Sequence, residues 1–273
     1  MKKLATVLLV LVLYSVVSST RAVAAPTSIT YTGGAPSNVK SEKGVILKAT
    51  ATFSISNDVD LVIALSNIST NAPKTTSDIL TGLFFDLSTN LALTTVSAYV
   101  PSGSKVIGPL FDYEGDVNGQ WAYRGNIPTD SKSKSKNAPA EYGLSGTKYT
   151  LFNKTNLFSE IKLTHTSPLS GVQFGITDMS NFAPKAQGGI KNVDLIQNTI
   201  DLVLNGLPVN FTVQDISQDI SHVNFVFGTK IINGIDISGD MVAQITPEPS
   251  TVALVAIGLL GTLTLTRSAV RRR

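Results

Sequence analysis

The chain has 273 residues, with 22 Lys+Arg, 19 Asp+Glu and no cysteine. Without cysteine there can be no disulfide, thiolate metal site or cysteine nucleophile, so stability rests on burial alone. Seven basic residues (Lys2, Lys3, Arg21, Arg267, Arg271, Arg272, Arg273) and Glu248 lie in the terminal segments; the remainder holds 15 basic and 18 acidic residues, net −3, and lacks the basic footprint that nucleic-acid binding requires.

At the N-terminus, Lys2 and Lys3 precede an apolar run from Leu4 to Val17 and then Ala22-Val23-Ala24-Ala25-Pro26. This layout predicts a secretory signal peptide over residues 1–24. Ala22 and Ala24 suit the narrow pockets of a signal peptidase, and Ala25 becomes the new N-terminus. Pro26 disfavours a cut directly before it, because proline lacks the N–H and fixes φ.

Residues 25–246 then form the exported domain. Ala49, Ala51, Phe53 and Ile55 alternate with Thr50, Thr52, Ser54 and Ser56, the period of a half-buried strand. Ile161 and Leu163, then Val172, Phe174 and Ile176, then Ile200, Leu202 and Leu204, then Val223, Phe225 and Phe227 read the same way. Turn signals such as Asn57-Asp58, Asn118-Gly119 and Gly188-Gly189 separate them, and helical periodicity is absent outside the terminal segments. The expectation is an all-β fold, an antiparallel β-sandwich on a jelly-roll-like plan with about eleven or twelve short strands.

A long excursion from Gly103 to Gly146 interrupts the pattern and carries the most distinctive residues. Asp112, Glu114, Asp116 and Asn118 place oxygen ligands at alternate positions before Gly119, an arrangement that can converge on Ca²⁺, although it matches no EF-hand. Tyr113, Trp121 and Tyr123 offer aromatic faces for stacking on a glycan; the competing reading places them in the core. The lysine-serine alternation over 131–137 reads as a solvated loop, with acidic polysaccharide as its electrostatic partner.

Catalytic signals are weak. A Ser-His-Asp hydrolase drawn through His222 lacks a G-x-S-x-G elbow, and His165 and His222 both fall at strand edges, where a packed or solvated imidazole is the default. Glu114, Glu141 and Glu160 with neighbouring aspartates supply carboxylates for glycan hydrolysis, but sequence spacing fixes no separation across a cleft. The domain is therefore expected to be non-enzymatic and to need no cofactor other than the candidate calcium. A carbohydrate-binding or adhesive module is the first rival, a secreted glycan hydrolase the second.

The tail over 247–273 has three parts: Pro247-Glu248-Pro249, an uncharged run from Thr251 to Thr266, and the cluster Arg267, Arg271, Arg272 and Arg273. As helix the run would span about 24 Å at about 1.5 Å per residue, short of a hydrocarbon core near ~30 Å but extendable by its polar flanks. The arginines favour the cytoplasmic side, so the tail is expected to cross the membrane with the domain outside.

In this order, at the extreme C-terminus, the three parts resemble the PEP-CTERM sorting signal of Gram-negative bacteria. The resemblance implies that an exosortase, a membrane-embedded cysteine protease, cuts near Pro247-Glu248-Pro249. The exported part would then reach the cell surface or extracellular matrix, often alongside exopolysaccharide. Leu61 to Ser69, Asp78 to Asp86, Gly119 to Tyr123 and Val223 to Thr229 are similar to a group of exosortase-dependent surface proteins with no established activity and no catalytic residues to carry over.

Overall fold

Alternation of hydroxylated and apolar side chains builds the first sheet. In the computed structural model, residues 28–36, 46–70, 73–108, 115–128, 138–159, 167–178, 190, 193–229, 236–238 and 240–242 are described. All lie in one compact unit, Thr27–Ile245. The first sheet contains β1 (Ser28–Pro36), β2 (Ile46–Ser56), β3 (Asp60–Asn67), β5 (Thr94–Tyr99), β11 (Thr199–Asn205) and β14 (Asp240–Val242). Its order is β14-β1-β2-β3-β11-β5, antiparallel throughout. Ala49, Ala51, Phe53, Ile63, Leu65, Ile200, Leu202 and Leu204 point to the core with no exposed surface. The opposite face carries hydroxyls that pair across strands, Thr30 with Thr52 and Ser66 with Thr199, each at 2.8 Å. Asn57 and Asp58 turn β2 into β3 through left-handed φ values of 51° and 63°, a conformation that Asn and Asp tolerate better than other non-glycine residues.

The second sheet contains β4 (Leu80–Leu87), β6 (Lys105–Ile107), β7 (Ala122–Arg124), β8 (Tyr142–Ser145), β9 (Ile176–Thr177), β10 (Leu195–Gln197), β12 (Ile220–Phe227) and β13 (Asp236–Ser238). Its path is β13-β12-β4-β9-β10-β6, with β8 also on β4 and β7 on β8. The described residues thus hold fourteen strands in two sheets, and the all-β expectation stands. Pairing is not purely antiparallel: β9 and β10 run parallel, Ile176 opposite Ile196.

The sheets share one core. Phe53 of β2 meets Phe85 of β4 edge-on at 5.4 Å, and Tyr142 of β8 stacks on Phe85 at 5.7 Å. The second sheet is buried on both faces, because Phe84 and Val226 point away from that core into a second cluster with Tyr149, Leu151 and Phe152. This accounts for the nearly unbroken apolar run of β4, Leu-Thr-Gly-Leu-Phe-Phe, which has no solvent face to demand alternation. Gly143 on β8 permits the approach, since a Cβ there would lie 2.6 Å from the Phe84 ring.

Three readings from sequence change. The excursion 103–146 does not wholly interrupt the strand pattern, because it contributes β6, β7, β8 and part of the second cluster. Val172 and Phe174 are buried in a turn, Phe174 at φ 56°, and only Ile176 of that series belongs to a strand. One short helix, α1 (Val213–Asp219), breaks the all-strand pattern; its capping box joins Thr212 and Asp215, and Val213 and Ile216 are buried. Ile161 and Leu163 lie outside the described residues. Among the described residues no helix is long and apolar enough to cross a membrane, and the candidate span 251–266 lies outside them.

Candidate functional site

Of the excursion's four candidate ligands, Asp116 and Asn118 are among the described residues. Asp112, Tyr113 and Glu114 lie outside them. Residues 115–118 are stitched to the edge of β5. Val100 N–H donates to Gly115 O at 2.7 Å, and Val117 N–H to Ala98 O at 3.0 Å. The Asn118 amide oxygen accepts from Ala98 N at 2.6 Å, and Asp116 Oδ1 accepts from Asn118 N at 2.9 Å. Two of the four oxygen side chains are thus engaged with backbone. Among the described residues no cluster of three or more acidic or histidine side chains is placed to hold a metal.

Trp121 and Tyr123 take the core reading. Trp121 has no exposed surface, and its indole N–H donates to Phe174 O at 3.0 Å. Tyr123 is buried too, and burial pushes its phenol far above the usual range. Neither ring offers a face to a sugar, so the surface-stacking role drawn for Trp121 and Tyr123 is corrected: both fill space between strands.

Chemistry-bearing side chains gather instead where β4 leaves the second sheet. The β4–β12 register sets Ser221 opposite Asp86 and Asn224 opposite Phe84, so β12 carries one extra residue, a bulge. His222 sits in that bulge at φ 47° and points to solvent, its side chain 74% exposed. Its Nδ1 lies 2.8 Å from Asp86 Oδ2, while Asp86 Oδ1 accepts from Glu141 N at 2.6 Å. The geometry is that of a carboxylate orienting an imidazole and leaving Nε2 outward. The carboxylate partner of His222 is 136 residues away in sequence. Ser88, on the turn after β4, gives its hydroxyl hydrogen to Asp219 and not to His222, so the described residues hold no nucleophile bonded to this pair. His165 lies outside them.

On the other side of the same turn is a groove of about 580 Å³ between Ser88-Thr89, the loop 208–211 and α1. Asp219, the last residue of α1, is only 6% exposed. Its Oδ1 accepts from Ser88 Oγ, from Thr89 N at 2.9 Å and from Thr89 Oγ1 at 2.9 Å, while Oδ2 is buried without a partner. Asp215 accepts from Thr212 N and Thr212 Oγ1, both at 2.7 Å, and these bonds hold its carboxyl below the usual range.

The C-terminal tail supplies the link to known proteins. Residues 246–273 match the family model described as the PEP-CTERM protein-sorting motif, so the chain carries that motif at these residues. The match contains Pro247, Glu248, Pro249, Arg267 and Arg271 to Arg273, all outside the described residues, as are Ala22, Ala24 and Ala25 at the other end. Neither the curated proteins nor the solved structures give a match to the chain. The motif implies exosortase as processing partner, with export to a surface or extracellular location.

Proposed function

We propose that this chain is an exported, non-enzymatic surface protein whose tail is a disposable address cut by an exosortase. The observation that carries the reading is the sorting motif over 246–273. The fold is compatible with such processing. The last described strand, β14, is paired with the first, Thr30 opposite Val242, and Pro247 follows five positions later, so a cut at Pro247-Glu248-Pro249 removes none of the described strands. In this reading the two sheets form a β-sandwich that persists unchanged after removal of a signal peptide and a membrane-spanning tail, and serves as a structural component of the extracellular matrix.

Mass spectrometry of the surface fraction tests both ends together. The mature chain should begin at Ala25 and end near Pro247-Glu248-Pro249. Glu248→Ala should leave full-length, uncut tail in the inner-membrane fraction. A Glu248→Ala protein that reaches the exterior at normal mature size would overturn the reading.

A further inference from the structure

Register fixes which features share one end of the domain. β1 starts at Ser28 opposite Ser54, and β2 runs on from there to the turn 57–59. β3 leaves that turn at Asp60, which pairs with Asn205 at the end of β11, and Asn205 pairs in turn with Thr94 at the start of β5. The loop after β11 is held at the same place, because Gly206 and Leu207 both donate N–H to Val59 O, at 3.2 and 3.1 Å. β14 runs antiparallel to β1, from Asp240 opposite Thr32 to Val242 opposite Thr30, so it too heads toward this end.

Covalent reach turns that topology into a constraint. Val242 and Thr251, where the uncharged run of the tail begins, are nine positions apart. Fully extended, that stretch spans at most about 30 Å. If the run crosses the membrane, this end of the domain stays within that distance of the bilayer for as long as the tail is uncut. Ser28 is likewise eleven positions from Val17, the last residue of the N-terminal apolar run, so an uncleaved signal peptide tethers the same end.

The surface of that end has two distinctive properties. Its loop presents Pro208, Val209 and Asn210, all exposed and uncharged, and Val209, at 76%, is the most exposed large hydrophobic residue among those described. Phe211 packs against the core behind them and holds the loop. The charge there is all of one sign: the segments 57–60, 88–94 and 205–219 contain Asp58, Asp60, Asp215 and Asp219 and no lysine or arginine.

Together these properties select the occupant. A valine at a loop tip, brought against a bilayer by a tether, exchanges water for the boundary between headgroups and acyl chains. One valine is too little apolar area to hold a free domain on a membrane, but a tethered contact is intramolecular, and a short tether gives it a high effective concentration. The carboxylates are repelled by an anionic leaflet and suit a zwitterionic lipid whose ammonium group approaches them.

We propose that the loop 208–210 is a bilayer contact of the uncut protein, with Val209 entering the headgroup region of a zwitterionic, ammonium-bearing lipid. The domain stands on this end until its tail is cut, and loss of the tether then releases so small a contact. The inference rests on the reading of the tail as a membrane-spanning segment, and the two fail in different measurements.

The chain has no cysteine, so a dye on a single introduced one reports without background. The full chain, as Val209→Cys or Ser102→Cys carrying an environment-sensitive fluorophore, is reconstituted into phosphatidylethanolamine–phosphatidylcholine vesicles that contain nitroxide-labelled lipid as quencher. Ser102 is exposed on the turn after β5, beside the start of β11, where Asn198 Nδ2 donates to Gly103 O at 3.0 Å, and so marks the opposite end. Both positions are exposed, so neither variant removes a packed side chain. The reporter at 209 should shift to the blue and lose most of its emission to the quencher, and the reporter at 102 almost none. Added phosphatidylglycerol should weaken the quenching at 209. Flotation separates the two readings. A chain that does not float with the vesicles removes the membrane-spanning tail and this contact with it, whereas a floating chain whose reporter at 209 is quenched no more than the one at 102 overturns the contact alone. A blue shift at 209 without lipid quenching would make a second copy of the chain the occupant, and stronger quenching with phosphatidylglycerol would make it anionic lipid; either result overturns the proposal.

Discussion

Replacing Trp121 tests whether the single tryptophan is core or contact surface. The ring has no exposed area, donates its indole N–H to Phe174 O at 3.0 Å, and packs against Gly146, where a Cβ would approach within 3.3 Å of the ring. Trp121→Ala removes the whole ring from a close-packed site, at a cost of about 3–5 kcal/mol. At about 2–4 °C per kcal/mol for a domain of this size, Tm should fall by roughly 6–20 °C. Trp121→Phe retains an aromatic ring but loses the hydrogen bond, so a smaller loss of about 1–3 kcal/mol, or roughly 2–12 °C, is expected. Differential scanning calorimetry measures both. Selectively excited tryptophan emission of the parent reports only this residue, so native emission should be blue-shifted, shielded from acrylamide and indifferent to added glycan. A Trp121→Phe Tm within about 1 °C of the parent, the size of a surface substitution, together with quenchable emission would refute the core assignment.

Two further outcomes follow from titrating groups. Burial raises the Asp201 carboxyl above its usual range against a smaller opposing hydrogen bond from Tyr99. Because the folded value exceeds the unfolded one, the folded state takes up the proton first as pH falls. The cost is complete above the folded value and gone below the unfolded value of about 3.9, so Asp201→Asn should raise Tm at pH 7 and lose the gain near pH ~3. A gain equal at both pH values would refute it. Thr212→Ala removes the N-cap of α1 and should lower Tm at pH 7 by about 2–4 °C. The Asp215 carboxyl is lowered by the same cap, so its contribution is present above about pH 3.9 and lost as pH falls through its folded value. The Thr212→Ala deficit should therefore narrow in acid, as a pH series of thermal melts would show.

The strands legible in the sequence are those with one wet face. β2 and β11 alternate apolar and polar residues and stand where the period-two reading sets them. β4 does not alternate, because the Phe84–Tyr149–Phe152 cluster covers its second face, and that cover comes from a segment sixty residues later in the chain. α1 is only seven residues long, too short for a helical period to show; its visible signal was the capping pattern Thr212-Val213-Gln214-Asp215. For Trp121 the sequence leaves core and contact surface both open, since its burial depends on Phe174 and Gly146, neither of which is near it in sequence.

The chemistry at the end of β4 was hidden for a different reason: it is created by register. Asp86 and His222 meet only because β12 pairs with β4, and Ser88 and Thr89 reach Asp219 for the same reason. The bulge then divides the consequences between two sides. At Ile220–Leu87 the pairing is regular, and just before it Asp219 stays beneath the surface, held by the turn after β4. Two residues later the extra residue lets Ser221 and His222 both face water, which a regular strand would forbid because successive side chains alternate. The inserted residue therefore accounts for the oriented, exposed imidazole, while the buried carboxylate before it is held by the turn after β4. Removing the bulge by deleting His222 would restore alternation along Ser221–Asn224 without moving Asp219, so the groove and the imidazole are separable by a single change in strand length.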